Sequence, residues 1–297
     1  MSEPLVDRVI RGQNWMDGFA DVLQKLVAAI YKVLGAPGRL LRDLMHGSRV
    51  LGHPLHPVVT DVPIGAWAAG VVADYVAHFT TRLPTQAGDV CLAVGLSAAL
   101  LAVATGYTDF ADTFGHERRV ALTHGLTMTL VFIVDAVSMA LRWWAGSSAH
   151  PLAVGLSTAG FGLVVLGGYL GGHLVFGIGT MVNRNAFAEG PEDLVDVGSP
   201  ADFEEDKLTR VDASGMPVLV VRHAGALYAI AATCSHAGGP LDEGELHGDV
   251  VTCPWHGSRF CVTNGKVRGG PATFPQPAFL VRETDGRVAV KPETPLH

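Results

Sequence analysis

Polar and apolar positions divide the chain into three regimes. From residue 15 to 34 the apolar side chains Trp15, Phe19, Val22, Leu23, Leu26, Ile30, Val33 and Leu34 recur at helical spacing, with Asp17, Asp21, Gln24, Lys25 and Lys32 on the opposite face. Gly35-Ala36-Pro37-Gly38 ends that helix, and a second short amphipathic stretch runs from Arg39 to Met45. Both are expected to lie in a membrane interface, because four long apolar runs follow at once. These runs, 58–79, 87–107, 120–144 and 151–176, are long enough to cross about 30 Å of hydrocarbon at about 1.5 Å per residue. Helices buried in a soluble bundle would show polar faces at helical spacing, and a run such as Val94-Gly95-Leu96-Ser97-Ala98-Ala99-Leu100-Leu101-Ala102-Val103 shows none. In the last third the period changes again. Val218–Arg222, Leu227–Ala231, Val250–Cys253, Ala278–Glu283 and Arg287–Lys291 read as short strands, punctuated by Gly215, Gly225 and Asp285-Gly286.

The expected fold class is therefore a multi-domain membrane protein: an all-α four-helix transmembrane bundle followed by an all-β sandwich. Its divisions are interfacial helices over 1–50, the transmembrane domain over 51–180, a polar linker over 181–203 and the β domain over 204–297. No convincing internal repeat is visible.

Composition agrees with the membrane reading. Among 297 residues only 16% are charged and 36 are glycine. A net charge of −7, with no basic run interleaved with aromatics, excludes nucleic-acid binding. The stretch MSEPLVDRVIRGQNW lacks the apolar core and small-residue cleavage site of a signal peptide, so none is expected. Arg8, Arg11, Lys25, Lys32, Arg39, Arg42, Arg49, Arg118, Arg119 and Arg184 fall on one side of the four spans, and Arg82 and Arg142 on the other. The excess of positive charge puts both termini and the β domain in the cytoplasm, at the inner membrane.

Candidate chemistry lies in CSHAGGPLDEGELHGDVVTCPWHGSRF, which opens at Cys234. It holds Cys234-x-His236 and Cys253-x-x-His256, each opening a loop rich in Gly and Pro. Two cysteines and two histidines suit either structural zinc or a [2Fe–2S] cluster with thiolates on one iron and imidazoles on the other. Zinc fingers group Cys with Cys and His with His, whereas here each loop supplies one of each, as an asymmetric two-iron cluster needs.

The stretch resembles a Rieske domain. Beyond the four ligand positions, the resemblance rests on Gly238-Gly239-Pro240-Leu241, Pro254-Trp255, Gly257-Ser258-Arg259-Phe260, Asn264-Gly265-Lys266 and Gly270-Pro271-Ala272, the last corresponding to the loop that covers the cluster. It implies a small antiparallel sandwich, a [2Fe–2S] cofactor on Cys234, His236, Cys253 and His256, and surroundings formed by Gly239, Gly257, Ser258, Phe260 and Pro271. Quinol-oxidising Rieske proteins usually carry a further Cys in each loop, paired as a disulfide; Gly239 and Trp255 stand there instead. Ser258 can donate to a cluster sulfur, but Phe260 replaces a tyrosine that would add a second donor. Fewer such donors imply a lower potential, of the ferredoxin or oxygenase kind. Of the four cysteines, Cys91 lies in an apolar run and Cys261 reads as a small buried residue, so no disulfide framework is expected.

His53-Pro54-Leu55-His56-Pro57 followed by four spans resembles a bacterial membrane-domain family of unknown function, over roughly residues 50–180. Asp61, Asp74, Asp109 and Asp135 lie in or near the bilayer and need partners there. His53, His56, His116, His124 and His173 all fall near one end of the spans; His56, His124 and His173 are candidates for a haem b or metal site, with a hydrogen-bonded polar cap as the alternative. Gly160, Gly167, Gly168, Gly171 and Gly172 are read as allowing close helix packing. The expected function is one-electron transfer at the cytoplasmic face, with a redox partner protein or quinone, the lipid bilayer and a possible second copy of the chain as partners. A redox-sensing module and a ferredoxin serving an oxygenase are the alternatives. An oxygenase in its own right would need a separate mononuclear iron domain.

Overall fold

The computed structural model describes residues 5–48, 51–80, 82–145, 150–294 and 296; Arg49, counted above among the orienting charges, lies outside them. The chain divides into two units, one of residues up to Arg39 with Leu55–Thr180, the other of Leu40–Pro54 with Met181 onward.

In the first unit, two short helices, Leu5–Ile10 (α1) and Trp15–Val33 (α2), precede four long ones: Leu55–Phe79 (α4), Gln86–Phe110 (α5), Gly115–Trp144 (α6) and His150–Gly172 (α7). Between them, Gly35–His46 (α3) carries the division between units. The four long helices are apolar enough to cross a bilayer, the last counted through Ile178. Each packs on its neighbours in sequence, and α7 closes back on α4, so α4 and α6 lie on one diagonal and α5 and α7 on the other. Past α7 the backbone widens into a π-helical turn, His173–Ile178, closed by Gly179 in a left-handed conformation at φ 79°.

Helix α2 turns its polar face inward. Asp17 pairs with Arg119 at 2.6 Å, and Gln24 Nε2 donates to the carbonyls of Phe110 (2.9 Å) and Thr113 (3.0 Å). Tyr31 Oη and Thr108 Oγ1 share a hydrogen bond of 2.6 Å. These partners are the freed ends of α5 and α6, where carbonyls and charges need satisfaction. The apolar face is left outward, with Trp15 75% and Val33 87% exposed.

An internal repeat runs through the bundle that the sequence does not display. Positions of α4 and α6 correspond at a separation of 68 residues, the separation of the paired Asp74 and Arg142. Positions of α5 and α7 correspond at 65 residues, as 102 with 167 and 106 with 171. His56 and His124 each bond a carbonyl of the following helix, at Ala102 and Gly167. Trp67 presses on Gly95 where Asp135 presses on Gly160, and Gly70 faces the carbonyl of Gly88 where Ser138 donates to that of Ala153. The α4–α5 and α6–α7 hairpins are thus two copies of one arrangement.

The named strands of the second unit all pair antiparallel, with one isolated parallel bridge between Glu205 and Arg222. Strands Val195–Gly198 (β1), Leu208–Ala213 (β2), Met216–His223 (β3), Ala226–Ala231 (β4), Ala278–Thr284 (β9) and Arg287–Pro292 (β10) form one sheet in the order β1-β10-β9-β4-β3-β2. Glu245–His247 (β5), Val250–Thr252 (β6), Arg259–Cys261 (β7) and Val267–Gly269 (β8) form a second, in sequence order. Side chains alternate across the pleat: on β3 Leu219 and Val221 enter the core beneath the second sheet, while Val218 and Val220 enter a separate core with Phe203, Phe279 and Val290.

The stretch expected as a linker has structure of its own. Val195 and Val197 pack on the second of those cores as β1 pairs with β10, and Arg184 N donates to Ser235 O at 3.0 Å. Its acidic composition hides a two-valine alternation too short to register as a strand.

Candidate functional site

Both Cys/His loops leave the ends of strands, the first after β4 and the second between β6 and β7. They are built alike. Cys234 N donates to Gly239 O (2.8 Å) and Gly238 N back to Cys234 O (2.9 Å); Cys253 N donates to Ser258 O (2.8 Å) and Gly257 N to Cys253 O (3.1 Å). The chain can turn this tightly because Gly238 and Gly257 sit at φ 83° and 72°, where a Cβ is strained. Each turn aims two backbone N–H groups at its cysteine sulfur, from His236 and Ala237 in one loop and from Trp255 and His256 in the other.

The loops bring the four side chains together. Cys234 and Cys253 are buried at the edge of the core formed by Leu219, Ile230, Leu241, Val251 and Phe260. The two sulfurs are hydrogen-bonded to each other: that bond pulls Cys253 below the usual thiol range, and the same bond together with burial pushes Cys234 above it. The rings of His236 and His256 lie 4.8 Å apart at 83° and are half-buried, where the thiols are fully buried. A pair of inner thiols and a pair of outer imidazoles, with N–H groups already turned to the sulfurs, is a donor set that fits a two-iron cluster.

The surroundings are tight. A Cβ on Gly239 would come within 2.8 Å of Cys253 Sγ and 3.0 Å of the Trp255 ring, so the two positions that hold cysteines in quinol-oxidising proteins adjoin here as well. Ser258 is fully buried, and its Oγ accepts from Ala272 N at 3.2 Å. Pro271 and Phe260 are buried, and Gly270, at φ 85°, has no room for a side chain because Gly257 O would lie 2.5 Å from its Cβ. Cys261 is buried too, its Sγ within hydrogen-bond reach of Asp249 and Thr263, and all four cysteines are free.

One contributor was hidden from the sequence. Asp43, on α3, is buried and its Oδ1 accepts from Gly270 N at 3.0 Å, fixing the loop beside the cluster site. An aspartate in an amphipathic stretch 227 positions earlier carries no signal of this contact.

Residues 193–285 match the family described as Rieske [2Fe-2S] domain. Over 89 residues the chain is 37% identical to the ferredoxin component of biphenyl 2,3-dioxygenase from Rhodococcus jostii (strain RHA1), covering 30% of this chain and 83% of that protein. This chain belongs to the Rieske [2Fe-2S] family. Ferredoxin CarAc of Metapseudomonas resinovorans is a further Rieske relative, 37% identical over 98 residues, which cover 33% of this chain and 92% of the relative. Among solved structures, the complex of reduced oxygenase and oxidized ferredoxin in carbazole 1,9a-dioxygenase has a chain 34% identical, matched over 36% of this chain and 100% of its own, with a TM-score of 0.34. Ahead of the Rieske domain, residues 52–184 match a family described as Predicted membrane protein (DUF2231). The protein thus joins a Rieske electron-transfer domain, with its [2Fe–2S] cofactor, to a membrane domain.

The membrane histidines separate into two groups. His56 and His124 face each other with ring centres 6.3 Å apart. His173, grouped with them on sequence, opens the π turn instead and bonds Asp7 Oδ1 at 2.9 Å, alongside His116. Burial raises the Asp7 carboxyl, but the hydrogen bonds from His116 and His173 outweigh it and hold the pKa below the usual value. At the other end, Arg142 is not a loop charge. It is buried in the bundle, bonded to Asp74 (2.6 Å), Asp89 (2.9 Å) and Ser157 Oγ (2.9 Å).

Proposed function

We propose that this protein is a membrane-anchored one-electron carrier whose cluster is held by Cys234 and Cys253 on one iron and by His236 and His256 on the other, working at the cytoplasmic face of the inner membrane. The observation that carries the assignment is the pair of equivalent loops, which bury two thiols and leave two imidazoles half-exposed. When bound, the cluster takes up or releases a single electron. His236 and His256 form the edge through which a partner is reached, while the apolar core insulates the thiol side. Similarity to ferredoxin components of dioxygenases supports a carrier over a sensor, with a soluble reductase-type donor and an enzyme, quinone or membrane haem as acceptor.

Several features support the anchoring. The outward apolar face of α2 suits an interfacial helix. With Arg142 buried against Asp74, the charge count favours a cytoplasmic amino-terminal side more strongly, since only Arg82 remains opposite it. Free thiols throughout suit a reducing compartment.

The test is EPR and visible spectroscopy of full-length protein in detergent, before and after dithionite. A Rieske signal that disappears in Cys234→Ser and Cys253→Ser variants and is re-oxidised within seconds by quinone or an acceptor protein supports the proposal. Zinc in place of iron overturns the ligand assignment, and re-oxidation too slow for turnover overturns the carrier role in favour of sensing. Thiol labelling of an introduced surface cysteine in right-side-out and inverted vesicles tests the face.

A further inference from the structure

We propose a bis-histidine haem b site at the end of the bundle where His56 and His124 meet. The two rings come from the diagonal helices α4 and α6, at the same position of the two hairpins. In each, Nδ1 lies at hydrogen-bond distance from a backbone carbonyl of the next helix, His56 with Ala102 O at 3.0 Å and His124 with Gly167 O at 2.9 Å. A carbonyl can only accept, so both Nδ1 atoms carry the proton and the lone pair of each ring sits on Nε2. Fixing an imidazole by Nδ1–H to a carbonyl is how a protein presents Nε2 to a metal.

The surroundings are cleared for these rings in both hairpins. Four residues beyond each accepting carbonyl stands a glycine. A Cβ on Gly106 would come within 2.8 Å of His56 Cε1, and one on Gly171 within 3.2 Å of His124 Cε1. A histidine serving only as a polar cap needs its carbonyl partner and nothing more. Here the ring, the carbonyl and the clearing glycine occur together twice and converge.

The donor set selects the ligand. Two imidazoles alone do not complete a zinc or non-haem iron site, which takes three or four protein donors. They do complete an iron whose four remaining positions are filled by a porphyrin. A metal–imidazole bond of about 2.0 Å, added at each ring to roughly 1.1 Å from ring centre to nitrogen, gives about 6.2 Å between the centres of two trans imidazoles. The observed separation is 6.3 Å. His173 takes no part, being committed to Asp7.

The experiment uses the full chain, expressed with added iron and 5-aminolevulinate, purified in detergent and, if haem is sub-stoichiometric, titrated with haemin. We expect about one haem b per chain, six-coordinate and low-spin in both oxidation states. The interplanar angle of 83° predicts a strongly anisotropic ferric EPR signal, as near-perpendicular axial imidazoles produce. His56→Ala and His124→Ala should each reduce haem content by at least about tenfold, while His173→Ala keeps it. Because misfolding alone would also cost an alanine variant its haem, His124→Met is the second test: it should retain haem with the spectrum and raised potential of His/Met ligation. No haem after titration overturns the proposal, as does full haem content in either alanine variant or an unchanged bis-imidazole spectrum in His124→Met. The Rieske signal of the same samples reads the other cofactor independently, so a failure here is distinct from a failure of the carrier assignment.

Discussion

Arg142 and Asp74 occupy equivalent positions of the two membrane hairpins and are paired with each other, Nη2 to Oδ2 at 2.6 Å and Nη1 to Oδ1 at 2.9 Å, with about 1% and 2% of their side chains exposed. The bidentate geometry, with Asp89 and Ser157 completing the guanidinium's partners, is what makes a buried charge tolerable. Arg142→Met should leave Asp74 and Asp89 uncompensated and cost about 3–5 kcal/mol, a breakage much larger than the worth of the intact pair. Detergent melting curves check this, and Asp74→Leu added to Arg142→Met should restore a substantial part of the loss.

Gly239 leaves only the space that Cys253 and Trp255 need. Gly239→Ala should therefore displace the Cys253 sulfur and lower cluster occupancy several-fold, measured as iron and acid-labile sulfide per chain. Gly238→Ala meets only Thr233, at 4.0 Å, and should instead cost about 1 kcal/mol through its positive φ with the cluster retained.

The Ser258 hydroxyl accepts from Ala272 N, which leaves its own hydrogen for a cluster sulfur. Ser258→Ala should lower the reduction potential by roughly 100 mV, the equivalent of one hydrogen bond to a charged group. A potentiometric EPR titration decides it, and an unchanged potential would show that the hydroxyl points elsewhere.

His223 is raised above its ordinary pKa by its hydrogen bond to Asp206, with burial a smaller opposing effect. The sign follows: this contribution to stability is complete below the unfolded histidine value of about 6.5 and is lost as pH rises through the higher folded value. NMR titration of the His223 ring should show the upward shift, and Asp206→Asn should reduce it, leaving the smaller raising effect of Glu205 and Asp249.

How much of this was legible depends on how far apart the interacting residues stand. The cluster site announces itself because each loop holds its Cys and His within four residues and its turn glycines beside them. The four spans and the strands β3, β4, β6, β9 and β10 follow from local pattern. The strands β5, β7 and β8 are as short as β6 but lack its run of β-branched residues. Asp43 on Gly270, Arg142 on Asp74, and the regrouping of His173 with Asp7 depend on tertiary packing that local patterns do not encode. The repeat is hidden in the sequence for a chemical reason: Trp67 corresponds to Asp135 and Asp74 to Arg142, so equivalent positions carry unlike side chains.

That unlikeness decides what the two halves can pair with. A homodimer of a single hairpin would set Asp74 against a second aspartate on the twofold axis, and Trp67 against a second tryptophan, while keeping the two histidines matched. Asp74 with Arg142 is a pair that only two diverged copies can make. The hairpins are thus not interchangeable: the two histidines match across the bundle while Asp74 and Arg142 do not, so each half is specific for the other, as the halves of a heterodimer are, within one chain.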